Sequence, residues 1–459
     1  MTLAFAPAGS PALALRLVEP QALDATLAAL PAPQRAWAAA SGFTGALGQL
    51  CVLPGPDGAP AGALFGWGDA AARARGRFHL ARAAEALPEA VWRIEGALAA
   101  DEAAEAALGW LLASYRFTRY KSGPSPRARL VAPEGIDAAR IESIAQAEAT
   151  TRDLINTPAS DMGPEELEGV AAELARAHDA RVSVTRGDDL LPGFPMIHAV
   201  GRASTRAPRL IDLRWGKEGP ALTLVGKGVC FDTGGLDLKT AGLMELMKKD
   251  MGGAATVLGL ARMILEARLD LRLRVLIPAV ENAVAGNAFR PKDILTSRKG
   301  LTVEVNNTDA EGRLILADAL ALADEDRPDL IVSMATLTGA ARVAVGPDLA
   351  PFYCDDDRTA AALAAAAARV ADPVWRMPFW TPYEPMIEPG IADLDNAPSG
   401  GFAGSITAAL FLRRFVTATP RYMHFDIYGW QPAAAPARPK GGVGQGARAL
   451  FAALPEILG

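Results

Sequence analysis

Cysteine and histidine are both scarce in this sequence. Its 459 residues include only three cysteines, which are widely spaced and odd in number. This pattern argues against a disulfide framework and is typical of a reducing compartment. The four histidines are scattered, and none shows the spacing of a metal-ligand set or of a catalytic triad. We therefore expect structural or exposed positions for all four histidines.

Long apolar runs and an excess of positive charge are also missing. Charged residues interrupt the apolar stretches before they reach the length of a membrane span, and residues 1–17 lack a basic region ahead of their apolar residues. Neither a membrane partner nor a cleaved secretory signal is expected, and cytoplasmic residence is the expectation. The net charge of −6 lacks the basic stripe that phosphate backbones require, so nucleic acid is not expected as the main partner.

The sequence does have the length and the apolar content for two domains. A hydrophobic fraction of 50% over 459 residues allows each of two domains to bury its own core. Between residues 13 and 131, short apolar runs alternate with alanine-rich helical stretches such as Ala70–Leu87, which predicts a small N-terminal α/β domain over residues 1–135. Residues 136–160 are predicted to form a linker helix region, and residues 161–459 the second domain.

The second domain shows a regular alternation of strands and helices. The predicted strands are Ala221–Val225, Arg272–Ile277, Leu330–Met334 and Tyr422–Ile427. The predicted helices are Met251–Leu265, Arg313–Ala323, Arg358–Val370 and Ile406–Val416. Strands that alternate with helices of this length imply crossover connections. The predicted fold class is therefore α/β, a small N-terminal α/β domain followed by a larger one whose central, mostly parallel mixed sheet is covered by helices on both faces.

One octapeptide contains two carboxylates, a guanidinium and a glycine: Asn307-Thr308-Asp309-Ala310-Glu311-Gly312-Arg313-Leu314. A strand-like run, Leu301–Val305, precedes it and a helix-like run, Leu314–Ala323, follows it. In open α/β sheets such junctions line the crevice at the carboxyl ends of the strands, where ligands bind, and we expect the octapeptide there. Asp309 and Glu311 also suit a simpler role as acids at a helix N-terminus.

A second charged stretch follows the predicted strand Ala221–Val225. Lys227 and Asp232 lie among glycines, and Lys239 and Asp250 come after them. Because glycine permits backbone conformations that bring side chains and main chain against a ligand, these charges suggest a binding site. The alternative is a surface turn with ordinary charges.

Together the two stretches supply four carboxylates without a nearby histidine, namely Asp232, Asp250, Asp309 and Glu311. Four converging carboxylates repel one another strongly at low dielectric, and two divalent ions balance them formally. Oxygen-rich two-metal sites are a recurring solution for hydrolysis. Zn, Mn, Mg and Co all stay open as the metal. A lysine among the acids serves either as a cation or, if it is deprotonated beside the ions, as a nitrogen ligand.

The octapeptide resembles the signature of the leucyl aminopeptidases, the cytosol aminopeptidase family (peptidase family M17) of dinuclear-metal exopeptidases. Other segments resemble family segments in the same order: 152–164, 225–235, 247–254, 277–293, 335–346, 375–383 and 405–412. The resemblance covers residues 150–455, whereas the first 130 residues are similar only in kind. Residues Ser399–Gly404 depart from the usual family pattern ahead of the following helix.

Carried over by position, the resemblance implies roles for seven metal-binding and catalytic residues and for four residues of a substrate pocket. One metal ion would be held by Lys227, Asp232, Asp250 and Glu311, and the other by Asp232, Asp309 and Glu311. Lys239 would be the catalytic lysine, and Arg313 would bind a bicarbonate ion that acts as general base. The pocket for the first substrate side chain would be lined by Met247, Asn307, Thr336 and Gly339.

The leading interpretation is a metal-dependent aminopeptidase that removes N-terminal, preferably apolar and leucine-like, residues from short peptides through a water molecule activated by two metals. The cofactors would be two divalent ions per subunit, with Zn or Mn ahead of Mg or Co, and the resemblance implies a homohexamer. One alternative is another dinuclear hydrolase such as a phosphatase, but Gly226-Lys227-Gly228 lacks the length and the Ser/Thr of a phosphate-binding loop. The other is a non-catalytic interaction protein on a peptidase fold, against which the complete residue set and the acidic charge count.

Overall fold

The chain folds into two compact units. A computed structural model describes residues 3–96 and 98–459, so Met1, Thr2 and Ala97 of the predicted N-terminal domain lie outside the described residues. The first unit extends to Ala149 and includes Ala433–Lys440, and the second comprises Thr150–Pro432 and Gly441–Gly459. None of the described helices is both long enough and apolar enough to cross a membrane.

Within its described residues, the first unit contains one five-stranded sheet. The strands are β1 (Leu13–Val18), β2 (Leu50–Pro54), β3 (Pro60–Gly66), β4 (Val91–Glu95) and β5 (Arg129–Leu130). The helices are α1 (Leu23–Ala28), α2 (Ala32–Ala40), α3 (Ala70–Arg73), α4 (Ala81–Ala86) and α5 (Ala100–Ala113). The strand order is β2-β3-β1-β4-β5, with β2 antiparallel to β3 and the other pairs parallel. Val18, Leu53 and Leu64 from three of these strands pack into one buried cluster.

The prediction of one helical stretch over Ala70–Leu87 is wrong. The chain forms the short helices α3 and α4 there, separated by residues 74–80. Phe78 in this segment has a left-handed φ of 60°, which a continuous right-handed helix does not accommodate. Gly76 lies in the same segment and further lowers its helix propensity. The alanine content therefore predicted the helical tendency but not the break.

The second unit is built on a nine-stranded sheet of described residues. The boundary between the units falls within α6 (Ala138–Asn156). The sheet strands are β6 (Arg181–Arg186), β7 (Arg209–Trp215), β8 (Ala221–Gly226), β9 (Gly228–Asp232), β10 (Arg272–Asn282), β13 (Leu330–Ala335), β14 (Ala350–Cys354), β15 (Val374–Met377) and β17 (Tyr422–Asp426). Smaller sheets contain β11 (Ile294–Thr296), β12 (Thr302–Glu304), β16 (Leu394–Asp395), β18 (Trp430–Gln431) and β19 (Gly441–Gly442). The helices are α7 (Pro164–Ala177), α8 (Pro195–Gly201), α9 (Ala241–Met244), α10 (Gly252–Glu266), α11 (Glu311–Glu325), α12 (Gly339–Val345), α13 (Asp357–Arg369), α14 (Gly404–Arg413) and α15 (Ala447–Leu458).

The centre of this large sheet is parallel. The order is β15-β14-β17-β13-β8-β10-β7-β6, and β9 pairs with β10 beyond the end of β8. The four central strands β17, β13, β8 and β10 run parallel, whereas β7 and β6 extend one edge in antiparallel fashion. Helices α10, α13 and α15 pack together, α8, α11 and α14 form a second group, and helices cover both faces of the sheet. The predicted fold class is confirmed.

The sequence led us to expect the octapeptide directly after a strand of the central sheet. The structure does not place it there. The strand before it, β12, is only three residues long and belongs to a separate sheet of order β11-β12-β16. The strand-to-helix transition itself is present, because α11 begins at Glu311. Since α11 packs on β8 and β10, the helix carries the octapeptide to the central sheet. A short alternating run indicates a strand but not which sheet it joins.

Candidate metal centre and active site

Lys227 occupies a break between two strands of the central sheet. Strand β8 ends at Gly226, and β9 begins at Gly228. The main-chain N–H of Lys227 donates a hydrogen bond to the carbonyl oxygen of Met334 at 3.0 Å, which fixes the break against β13. The ammonium of Lys227 lies 2.8 Å from Oδ2 of Asp250 and 3.1 Å from Oε1 of Glu311. It also donates a hydrogen bond to the carbonyl oxygen of Thr336 at 2.9 Å.

Gly312 makes room for this lysine. A Cβ atom on Gly312 would lie 2.6 Å from Cε and 2.7 Å from Nζ of Lys227, closer than atoms tolerate. Lys227 is buried and is held by oxygens from three different segments, so its side chain has no space into which to retreat. The close approach of Lys227 and Glu311 therefore requires a glycine at this position of α11.

Lys239 lies between the other two acids. Its ammonium is 2.8 Å from Oδ2 of Asp232 and forms an ion pair with Asp309. The second oxygen of Asp232 accepts hydrogen bonds from the N–H of Gly234 at 2.9 Å and from Nδ2 of Asn282 at 2.8 Å. These contacts fix the orientation of the Asp232 carboxylate.

Asn282 also connects the two charged stretches that the sequence singled out. Its Nδ2 donates to Asp232 and, at 3.0 Å, to the carbonyl oxygen of Thr308. The hydroxyl of Thr308 in turn donates to the carbonyl oxygen of Gly234 at 2.6 Å. These hydrogen bonds hold together two segments that are about 75 positions apart in the chain. Sequence reasoning did not identify Asn282, because a single asparagine at the end of a strand carries no local signal.

Three carboxylates converge on one point. Asp232, Asp309 and Glu311 each offer an oxygen that lies within 4.8 Å of the other two. Asp250 approaches from the far side of Lys227, where its Oδ1 accepts a hydrogen bond from the hydroxyl of Thr336 at 2.9 Å. The structure therefore brings together the five residues that the sequence proposed as metal ligands.

The remaining predicted residues surround one cavity of about 580 Å³ next to this cluster. The predicted catalytic and pocket residues all line it: Lys239, Met247, Asn307, Arg313, Thr336 and Gly339. Within Ser399–Gly404, where the chain departs from the family pattern, Gly401, Phe402 and Gly404 also contribute to the wall. Phe402 is 85% exposed and directly precedes the left-handed Ala403 at the start of α14, so it offers an apolar ring at the cavity mouth.

The electrostatics of the cluster show a deficit of positive charge. Burial raises the pKa of Glu311 to about 8 and that of Asp309 to about 6, and the neighbouring Asp232 adds to both shifts. Burial also raises the pKa of Asp250. For Lys227 and Lys239, burial opposes the charge, but the surrounding carboxylates outweigh it and hold both pKa values above the ordinary value. Two lysines face four acids, and the pKa values of three of these acids, Asp250, Asp309 and Glu311, lie above their ordinary values.

Several oxygens of the cluster lack a hydrogen-bond donor. Both oxygens of Glu311, Oδ2 of Asp250 and Oδ1 of Asp309 are buried and accept no hydrogen bond of regular geometry within the described residues. Their partners are the ammonium groups of Lys227, beside Asp250 and Glu311, and of Lys239, beside Asp309. A buried acceptor without a donor is costly, and carboxylate oxygens are the usual ligands of hard and borderline divalent ions. The residues present therefore fit divalent cations.

Arg313 presents an uncommitted guanidinium to the same cavity. It is only 8% exposed, its Nε has no hydrogen-bond acceptor, and no carboxylate oxygen of the described residues lies within 4.0 Å of it. Burial lowers the pKa of Arg313 to about 10, while Asp426, Glu311 and Asp395 oppose that shift. The side chain stays cationic at neutral pH and suits a small anion.

Two cations and a tyrosine of the cavity wall were not identified from the sequence: Lys249, Arg342 and Tyr428. The ammonium of Lys249 lies 5.0 Å from the centroid of the Tyr428 ring, and the guanidinium carbon of Arg342 lies 4.9 Å from it. Burial lowers the pKa of Lys249 to about 8, with Asp250 opposing the shift. The only sequence signal was the run Lys248-Lys249-Asp250 beside a predicted ligand, and nothing marked Arg342 or Tyr428.

Comparisons with known proteins agree on one family. Residues 149–451 match the catalytic domain of the cytosol aminopeptidase family, and residues 13–133 match the N-terminal domain of M17 aminopeptidases. A probable cytosol aminopeptidase of Roseiflexus castenholzii is 42% identical over 368 residues, 76% of this chain and 75% of that protein. One of Brucella melitensis is 40% identical over 424 residues, 85% of each chain.

Two solved structures extend the similarity to the whole chain. The crystal structure of a cytosol aminopeptidase from Coxiella burnetii superimposes with a TM-score of 0.95 at 41% identity and covers 100% of both chains. The bottromycin maturation enzyme BotP in complex with Mn superimposes with a TM-score of 0.87 at 32% identity, covering 97% of this chain and 99% of that one.

Proposed function

The chain belongs to the cytosol aminopeptidase family, and from this membership we propose an aminopeptidase that uses two divalent metal ions to remove N-terminal residues from short peptides. The observation that carries the proposal is the convergence of Asp232, Asp309 and Glu311, with buried oxygens that lack donors. The Mn bound to BotP supports Mn as one candidate, and Zn is the other leading one.

The proposed ligands follow the expected sets. Lys227, Asp232, Asp250 and Glu311 would hold one ion, and Asp232, Asp309 and Glu311 the other. Bound there, the ions would supply the Lewis acidity that activates water and polarises the scissile carbonyl. The chain would shape the site around them through Asn282 and Gly234, which already fix one oxygen of Asp232.

Two cations of the chain would act directly on the reacting groups. Lys239 lines the cavity beside Asp232 and Asp309, and its ammonium would donate a hydrogen bond to the oxyanion that develops on the carbonyl oxygen. Arg313, whose guanidinium is uncommitted, would hold a bicarbonate ion that accepts the proton of the attacking water. Lys239 would therefore stabilise the negative charge of the oxyanion, and Arg313 would hold the anion that accepts the proton.

The wider properties follow from the family and from the cavity wall. Met247 and Leu243 give the wall apolar surface for a leucine-like first side chain, with Asn307, Thr336 and Gly339 completing the proposed pocket. We propose residence in the cytoplasm, which the buried free thiols and the name of the relatives support. Assembly as a homohexamer is proposed from the family resemblance, and analytical ultracentrifugation tests it.

A chelation experiment tests the proposed function. The protein is stripped with a chelator and assayed on leucine p-nitroanilide, first alone and then with added Mn²⁺, Zn²⁺ or Co²⁺. We expect stripping to abolish hydrolysis and one of these ions to restore it. A p-nitrophenyl phosphate assay in parallel should stay negative. Full activity of the stripped protein would refute the two-metal proposal, and phosphate release would favour a different hydrolase class.

A further inference from the structure

Two cations on the wall of the active-site cavity have no part in the proposed chemistry. Lys249 ends the short 3₁₀ turn Met247–Lys249, and Arg342 lies on α12. Both line the cavity, and both approach the ring of Tyr428, at 5.0 and 4.9 Å from its centroid. These three residues, Lys249, Arg342 and Tyr428, form a cationic wall.

Neither cation is neutralised by the protein. Lys249 is only 6% exposed, yet its ammonium donates no hydrogen bond to the described part of the chain and has no carboxylate oxygen within 4.0 Å. Asp250, its neighbour in sequence, directs its carboxylate to Lys227 and to the hydroxyl of Thr336 instead. Arg342 likewise has no carboxylate oxygen within 4.0 Å among the described residues. A desolvated ammonium without an acceptor is unfavourable, so a ligand in the cavity that supplies one is favoured.

The cationic wall adjoins the residues proposed to contact the first side chain of the substrate. Met247 begins the turn that Lys249 ends, and Gly339 lies one helical turn before Arg342 on α12. The hydroxyl of Thr336 donates a hydrogen bond to the main-chain carbonyl oxygen of Asp250 at 3.0 Å, directly beside Lys249. The proposed pocket therefore has an apolar portion at Met247 and a cationic portion at Lys249.

We propose that this pocket accepts N-terminal residues with an acidic side chain and selects glutamate over its uncharged isostere glutamine. The inference rests on the proposed function, because it names a substrate class for the same peptidase site. The methylene groups of glutamate would pack on Met247, while its carboxylate would accept charge-assisted hydrogen bonds from Lys249 and Arg342. Such bonds exceed neutral ones by enough to give a preference of about 10- to 100-fold. Leucine would use only the apolar portion.

Three anilide substrates test the inference on the Mn²⁺-loaded full chain: the glutamyl, glutaminyl and leucyl p-nitroanilides. An anilide has no C-terminal carboxylate, so the side chain carries the only carboxylate of the substrate. We expect kcat/KM for the glutamyl substrate to exceed that for the glutaminyl one by about tenfold or more. In the variant Lys249→Met this ratio should fall toward one, whatever the absolute rates.

The neighbouring lysine provides a matched control. Lys248 donates a hydrogen bond to the carbonyl oxygen of Asn156 at 2.6 Å and lies over Trp430, and it does not line the cavity. Lys248→Met should therefore keep the ratio of the wild type. Arg342→Met changes an exposed residue and should lower the ratio even if Lys249→Met fails to fold.

The outcomes separate this inference from the proposed function. The inference is overturned if the glutamyl-to-glutaminyl ratio of kcat/KM is near one in the wild type. It is also overturned if both Lys249→Met and Arg342→Met leave this ratio unchanged. In either case, hydrolysis of the leucyl substrate still supports the proposed peptidase. If no anilide is cleaved, the proposed function fails. Calorimetric binding of free L-glutamate and L-glutamine then still decides the inference, because tighter binding of glutamate supports it and equal binding overturns it.

Discussion

Raising the pH of the chelator-stripped protein from 6 to 8 should tighten its binding of Mn²⁺ by about 100-fold. Protons and metal ions compete for the same carboxylate oxygens, so affinity rises as each ligand loses its proton. Glu311, with a pKa of about 8, is ionised in about 1% of molecules at pH 6 and in about half at pH 8, which accounts for about 50-fold. Asp309, with a pKa of about 6, adds about a factor of two.

Lys227 adds a second contribution to the pH dependence of metal affinity if it binds a metal ion as a neutral amine. Its pKa lies above the ordinary value of 10.5, so it remains protonated throughout this range. Each pH unit would then contribute a further factor of about ten to the affinity of the ion that displaces its proton. An ion held by oxygens alone should gain about 100-fold over the two units, and an ion held also by the nitrogen of Lys227 about 10⁴-fold. The slope identifies the ion that Lys227 binds.

Calorimetric titration with Mn²⁺ and a competing chelator at pH 6, 7 and 8 measures this slope. Buffers of different ionisation enthalpy report the protons released. The control is Asp188→Asn, which removes a carboxylate whose side chain is 92% exposed and should leave the slope unchanged. A change below about threefold between pH 6 and 8 would refute the reasoning, because proton competition at Glu311 and Asp309 predicts far more.

The stability of the stripped protein should depend on pH in the opposite direction. The pKa of Glu311 is higher in the folded state than its ordinary value of 4.5, so the folded state binds more protons between these two values. The stability that Glu311 contributes is therefore fully present below about pH 4.5 and is lost as the pH rises toward about 8. The Tm of the stripped protein should fall between pH 6 and 8, while the Tm increase on adding Mn²⁺ should grow.

Three substitutions test other parts of the site and fold. Lys239→Ala should keep both metal ions in elemental analysis but lower kcat by about 10²- to 10³-fold, as expected for an oxyanion donor; loss of metal would instead assign Lys239 to the structure of the site. Asn282→Ala should weaken Mn²⁺ binding by about 10- to 100-fold, because Asp232 loses one of the two donors that orient its carboxylate. Asn287→Ala changes an exposed asparagine bonded to Arg202 and should not weaken binding; equal effects would remove the special role of Asn282. Asp318→Asn should lower the free energy of unfolding, measured with denaturant, by about 1–3 kcal/mol. The reason is that the carboxylate accepts hydrogen bonds from the main-chain N–H groups of Met196, Ile197 and Arg298. An unchanged unfolding midpoint would contradict this.

The sequence predicted the central sheet well because its strands are buried on both faces. Strand β13, for example, is buried at every residue, and its sequence is apolar except for Ser333. Strand β9 was not predicted, because it lies in a glycine-rich stretch and is held by its pairing with the distal part of β10. The break between α3 and α4 was missed for a related reason, since it depends on the left-handed conformation of one phenylalanine.

The candidate site divides along similar lines. Its charged ligands were predicted because carboxylates and lysines concentrate in two short stretches. Asn282 and the cationic wall were not, since their meaning arises only when distant segments meet. Lys249 and Tyr428 are separated by nearly 180 residues, and nothing in the local sequence of Tyr428 marks it as a neighbour of Lys249. Tertiary contacts of this kind are not encoded in hydrophobic periodicity.

The fit between Gly312 and Lys227 also constrains how this protein can evolve. Any side chain at position 312 collides with the lysine, whereas a shorter residue at position 227 would relieve the collision. A side chain at position 312 should therefore be tolerated structurally only where position 227 carries a shorter residue. Changes at positions 227 and 312 should therefore occur as a pair in related chains.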